Sequence, residues 1–155
     1  MLKKILFVFI LISYTAQSQT YVKGTLNPAQ NFSWIVLYQL KGAKQLYIKN
    51  VTIKDGEFSI DFPENASKGM YRLMYSQQNG GFVDFIYNHE NIEVKFNPEN
   101  PSVSAEFLTS EENKQYAKYL FEKANWQQEL DWYQISFFKT EDEKEKAELQ
   151  TQYLN

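Results

Sequence analysis

QLYIKNVTIKDGEFSIDF, residues 45 to 62, decides how this chain is read. Two runs of alternating apolar and polar residues meet at Asp55-Gly56, with Ile53 just before the pair and Phe58 just after it. A two-residue turn of the type that suits twisted strands needs positive φ at both central positions, and Asp-Gly supplies that at little cost. Phe58, Ile60 and Phe62 fall on one side of the second run, Glu57, Ser59 and Asp61 on the other, which is the signature of a half-buried strand. Pro63 ends the run.

The same grammar extends in both directions. YVKGTL (21–26) is punctuated by Asn27-Pro28, and SWIVLYQL (33–40) runs up to Gly42. Downstream, GMYRLMYS puts Tyr71, Leu73 and Tyr75 on one side, and Asn79-Gly80-Gly81 turns the chain. FVDFIY and IEVKF are two further strands, with Asn88-His89-Glu90-Asn91 expected as a hairpin tip because Asn tolerates left-handed backbone angles. The expected fold is mainly β: an antiparallel β-sandwich of about seven or eight strands over residues 19–108. Strand order does not follow from the pattern.

From Thr109 the composition turns helical, so residues 109–155 are expected to form a helical hairpin or connector. Thr109 with Glu112, and Thr140 with Glu143, match the capping box. Tyr116, Tyr119, Trp126, Leu130, Tyr133 and Phe137 recur at helical spacing, and Leu120, Phe121, Trp132 and Phe138 widen that surface beyond a coiled-coil seam. Packing of this stripe against the sandwich, or against a further domain, is expected, as is self-association through the helix around Trp126 and Trp132. Apolar helix faces with no further sequence to cover them read as the start of a longer protein, a truncated connector.

Composition narrows the function classes. The chain of 155 residues has a formal charge of −3, with the leader lysines included in that sum, and no basic cluster for phosphates. Nucleic acid is therefore not an expected partner. MLKKILFVFILISYTAQS (1–18) reads as a signal peptide: Lys3 and Lys4, an apolar run from Ile5 to Ile12, then small residues for cleavage. The apolar run is too short for a permanent anchor, since a span takes about 20 residues. The mature chain is expected to be exported, without a membrane after cleavage. With no cysteine, thiol nucleophiles, redox pairs and thiolate metal sites are excluded.

Candidates for chemistry are few. His89 is the only histidine, and with Glu90 and Glu93 nearby it offers too few ligands for a metal. Glu90, Glu93 and Asp84 are candidates for paired carboxylates, with Asp84 expected to approach Glu93 or Lys95 across the ladder; surface charge is the better reading. No nucleophile signature accompanies His89. Trp34, Tyr38, Tyr47, Tyr71, Tyr75 and Tyr87 could stack on sugar rings, but rings on strands more often fill cores. The expectation is no catalytic residue, no metal, no cofactor and no enzyme activity.

YVKGTL, IKDGEFSI, GMYRLMY, FIYNHENIEVKF and SEENKQYAKYL resemble the domain of unknown function (DUF4369-like) that opens many exported bacterial thioredoxin-like proteins. The likeness runs from about Tyr21 to the mid-130s. It implies a signal peptide, a β-sandwich, a helical connector and then an AhpC/TSA or TlpA-type thioredoxin-like domain, in the periplasm or cell envelope of a Gram-negative bacterium. Redox chemistry in such proteins belongs to a W-C-x-x-C motif in the later domain, which this sequence lacks. The resemblance thus implies a non-catalytic accessory domain whose partner is a downstream thioredoxin-like domain or an envelope protein. The alternative is a free-standing module that binds envelope glycan or peptide.

Overall fold

The structure, a computed structural model, describes residues 19–78 and 81–154; the expected signal peptide (1–18) and Asn79-Gly80 lie outside the described residues. Among the described residues eight strands, β1 (Tyr21–Leu26), β2 (Trp34–Lys41), β3 (Lys44–Thr52), β4 (Glu57–Asp61), β5 (Gly69–Met74), β6 (Phe82–Tyr87), β7 (Ile92–Phe96) and β8 (Glu106–Phe107), form two four-stranded sheets. One runs β4-β1-β7-β8 and the other β3-β2-β5-β6. Three helices complete the order among the described residues: α1 (Pro101–Ser104), α2 (Glu111–Lys139) and α3 (Glu143–Leu154). Strand and helix claim nearly equal numbers of residues, so a mainly β chain is corrected to a mixed one.

Asp55 (φ 54°) and Gly56 (φ 81°) make the expected turn, closed by reciprocal backbone bonds between Lys54 and Glu57 of 2.9 and 2.8 Å. The strands it joins then part. β3 pairs with β2 in one sheet, whereas β4 pairs with β1 in the other. Gly56 is required there twice over, because a Cβ would also stand 2.9 Å from the Cβ of Ala29 and 3.0 Å from the carbonyl oxygen of Leu26. The link from β6 to β7 behaves alike. His89 takes φ 58°, but β6 and β7 belong to different sheets, so the expected hairpin tip is a corner between sheets.

One pairing departs from the all-antiparallel expectation. β1 and β7 run parallel, with Val22 opposite Ile92 and Leu26 opposite Phe96. Because β7 enters this sheet from the other one, no tight turn dictates its direction. Side-chain alternation specifies which face is buried, not which strand lies alongside.

Both sheets contribute to one core. Val22, Ile60, Ile92, Val94 and Phe96 come from one, and Ile35, Leu37, Leu73, Val83 and Phe85 from the other. Phe62, just past β4, stacks on Tyr87 (3.8 Å between centroids, 15° between planes) and meets Tyr71 and Phe85 edge-on. Gly24 lies under the Phe58 ring across the ladder; a Cβ there would come within 2.3 Å of that ring.

The buried phenols find partners, as such groups must. Tyr71 donates to the Ser67 carbonyl (2.8 Å) and Tyr75 to that of Pro98 (2.9 Å). Burial pushes Tyr75 up to about 12 and, as the first cause, raises Tyr71 and Tyr116 as well. An unfolded tyrosine ionises near pH 10, so the unfolded chain releases these protons first as pH rises. Their contribution to stability is whole below pH 10 and is lost as pH climbs from there towards 12. In a tyrosinate absorbance titration these rings are expected to lag behind free tyrosine, while the urea midpoint falls from about pH 10 upwards. A urea midpoint unchanged between pH 9 and 11.5 (roughly the window of the linkage) would contradict this assignment.

Candidate functional site

Two stretches singled out in the sequence, NHENIE (88–93) and TSEEN (109–113), come together in the fold. Asn113, in the first turn of α2, is fully buried. Its Oδ1 accepts the Ile86 N–H (2.7 Å), while its Nδ2 donates to the Ile86 carbonyl (2.7 Å) and to Ser110 Oγ (2.8 Å). β6 is an edge strand, so this amide meets the outward N–H and C=O of one residue as a neighbouring strand would. A carboxamide is the side chain suited to that task, having donor and acceptor side by side.

Ser110 locks the arrangement. Its Oγ accepts the Asn113 N–H (3.3 Å) and donates to Glu90 Oε1 (2.6 Å). Thr109 Oγ1 accepts the Glu93 N–H and donates to the Asn91 carbonyl, both at 2.8 Å. The N-cap of α2 is therefore Ser110, not Thr109 as expected, because the Thr109 hydroxyl is engaged by β7 and the loop before it. The second expected cap shifts likewise: Asp142 Oδ1 accepts the Lys144 N–H (2.8 Å), while Thr140 bonds Glu145.

The expected chemical candidates are dispersed. Glu90 is engaged by Ser110, and Glu93 accepts the Tyr21 hydroxyl (3.0 Å), a bond that raises the Tyr21 pKa. Asp84 lies in the other sheet from Glu93 and Lys95 and pairs there with Arg72 through two bonds of 2.6 and 2.7 Å, correcting the expected approach across the ladder. That pairing, above all its hydrogen bonds, raises the Arg72 pKa, and the guanidinium also lies 3.6 Å from the Phe82 ring centre. His89 meets the Tyr87 ring edge-on at 5.3 Å and lines an open polar cleft with Gln19, Thr20, Pro63 and Glu64. Among the described residues no three carboxylate or imidazole groups gather where they could hold a metal ion.

Of the six candidate sugar-stacking rings, Tyr71, Tyr75 and Tyr87 are core. Trp34 and Tyr38 are half-buried, and Tyr47 is exposed, set edge-on to Tyr38 at 6.2 Å. An edge-on pair presents no flat platform.

The helix α2 is itself about 43 Å long at the usual helical rise. Its first turns dock: Tyr116, Ala117 and Leu120 line the same crevice as Val83, Ala105 and Phe107. Its far end carries α3, with Leu149 buried beside Tyr133 and Phe137, and with Gln134 donating to the Tyr153 hydroxyl (3.0 Å). Between these ends Phe121 (52%), Trp126 (58%) and Trp132 (57%) stand exposed. The expected stripe thus splits: Tyr116 meets the sheets, Tyr133 and Phe137 meet α3, and Tyr119, Trp126 and Leu130 meet neither. What sequence reasoning missed is Asn113, whose only signal was a carboxamide within the first turn of a helix. Among the described residues no helix is long and apolar enough to cross a membrane.

Comparison of the chain with protein-family models and with curated proteins finds no match.

Proposed function

We propose that this chain is a non-catalytic accessory and interaction module, a β-sandwich with a helical arm, exported to the periplasm or cell envelope. In this reading the arm holds a downstream thioredoxin-like thiol-disulfide oxidoreductase domain, or an envelope protein, in place. The observation that supports it best is the helix: tied at its base by Asn113 and Ser110, it carries Phe121, Trp126 and Trp132 into solvent. Isolated apolar groups on a surface are ordinary, but several large aromatics along one helix mark a surface that takes a partner. Two of the stretches that carry the family resemblance, FIYNHENIEVKF and SEENKQYAKYL, meet at the base of the arm.

The test is a titration of the purified chain with a TlpA-type thioredoxin-like domain encoded in the same genome, followed by tryptophan emission. A blue shift that saturates with a Kd of about 10 µM or tighter is the expected result. Flat emission up to about 100 µM would overturn the assignment to that partner. The alternative reading, a free-standing module for envelope glycan or peptide, draws on the single exposed ring of Tyr47 on β3. It predicts that envelope polysaccharide fragments, rather than the thioredoxin-like domain, shift the emission.

A further inference from the structure

Charge is uneven along this chain. Residues 19–54 carry Lys23, Lys41, Lys44, Lys49 and Lys54 and no Asp or Glu, whereas α2 carries Glu111, Glu112, Glu122, Glu129 and Asp131 against Lys114, Lys118, Lys123 and Lys139. The lysines from Lys41 onwards cluster on or beside the β2–β3 hairpin, whose residues 41–47 are all exposed. β3 is the edge of its sheet, and β6, where α2 docks, is the opposite edge.

The hairpin is arranged as though for an acidic neighbour. Lys41 and Lys44 are directly opposite in the ladder, a placement in which like charges repel. Leu46 faces Gln39 and Lys49 faces Leu37, so Lys44, Leu46 and Lys49 share a face: an exposed apolar side chain flanked by two ammonium groups. The register shift between Leu37 and Tyr38 interrupts β3, and bulged, lysine-bearing edges resist plain strand addition. Docking here is accordingly through side chains.

α2 presents the complement. Glu122, Trp126 and Glu129 follow one another at four- and three-residue steps, so they lie along one helix face with an exposed indole between two carboxylates. Glu122 pairs with Lys118 at 3.8 Å and Glu129 accepts the Tyr133 hydroxyl at 3.2 Å, exposed contacts that are worth little and can exchange partners. The carboxylates are separated by about 10 Å along the axis. The lysines of β3 are separated by about 13 Å, allowing for the bulge. Flexible side chains of this length close such a difference.

We infer that the β2–β3 hairpin of one copy docks on the α2 arm of a second copy, Lys44 and Lys49 against Glu122 and Glu129, and Leu46 against Trp126. This rests on the reading of the arm as an interaction surface and goes further by naming its occupant. The two surfaces flank opposite edges of one sheet, which directs the contact between copies.

The experiment is sedimentation velocity on the purified chain at about 100 µM, in about 20 mM and about 500 mM NaCl. Association at low salt, weakened about tenfold or more at high salt, is expected. Lys44→Glu/Lys49→Glu and Glu122→Lys/Glu129→Lys, each confirmed as folded by circular dichroism, should each be monomeric alone, with association at least about 30-fold weaker. Mixed in equal amounts they should associate again, since each then meets an opposite charge. A wild-type chain that stays monomeric at low salt, association insensitive to hairpin reversal (helix against helix), or a mixture that stays monomeric would each overturn the inference. A monomeric chain that still binds the thioredoxin-like domain would sink this contact alone. A chain that associates yet ignores that domain would sink the proposed partner and leave the contact standing.

Discussion

Phe62→Ala is expected to destabilise the fold by about 3–5 kcal/mol, the range for truncating a fully buried phenylalanine. Phe62 is 0% exposed and sits where both sheets meet, stacked on Tyr87 and edge-on to Tyr71 and Phe85. Removing its ring leaves a void lined by three aromatic side chains, two of which are held elsewhere by hydrogen bonds. The Tyr71 hydroxyl is bonded to Ser67, and Tyr87 is bonded to Thr20 at 2.5 Å, so neither ring is free to slide in. Poor collapse places a cavity substitution towards the costly end of its range. Urea unfolding should show a lower midpoint, and the melting temperature should fall by roughly 10–20 °C for a chain of this size. Phe62→Leu should cost only about 1–2 kcal/mol, because most of the volume is kept. A loss below about 1 kcal/mol for the alanine variant would mean that the two sheets do not share this core.

Asn113→Leu is expected to cost about 2–4 kcal/mol, although the replacement is nearly the same size and more apolar. The loss comes from Ile86, whose N–H and C=O both turn towards the helix and would face a methyl-bearing side chain. Leaving a buried donor or acceptor without a partner costs about 1–3 kcal/mol per group. Asn113→Asp should not rescue: one oxygen would still accept the Ile86 N–H, but the other would face the Ile86 carbonyl and bring a charge into a buried site. The effect should be local as well as global. Amide hydrogen exchange should lose protection at Ile86 and in the first turns of α2, while Leu37 and Leu73 in the neighbouring strands stay protected. Unchanged exchange at Ile86 would show that the amide does not hold the helix base.

These two positions show how legibility was divided. Phe62 was readable, as the third apolar residue of an alternating run next to a turn and a proline. Asn113 was not, since an asparagine early in a helix is ordinary, and nothing in its neighbours indicates an edge strand 27 residues away. The capping boxes failed for a related reason. Thr109 and Glu112 have the spacing of a cap, but the Thr109 hydroxyl does better by bonding Glu93 and Asn91, and Ser110 takes over the helix end.

Asp84 and the corner at His89 carry the same lesson for candidate sites. Both were read on the assumption that consecutive strands pair, and in each case the chain passes from one sheet to the other. That separates Asp84 from Glu93 and brings Arg72 to it instead. The aromatic stripe of α2 was visible as periodicity. How much of it finds cover depends on where the sheets end.

The sequence by itself determined what neighbouring residues settle between them: the positive-φ turn at Asp55-Gly56, the inward faces of the strands, the reach of the two long helices, and a chain without thiol chemistry. The tertiary structure alone decided the sheet to which each strand belongs, the parallel pairing of β1 with β7, the grip of Asn113 on Ile86, and the exposure of Trp126 and Trp132. The physical reason is range. Backbone angles and side-chain alternation are set within a few residues, whereas strand partners and buried polar contacts are won in competition among segments far apart in the chain, for one core and one set of hydrogen bonds.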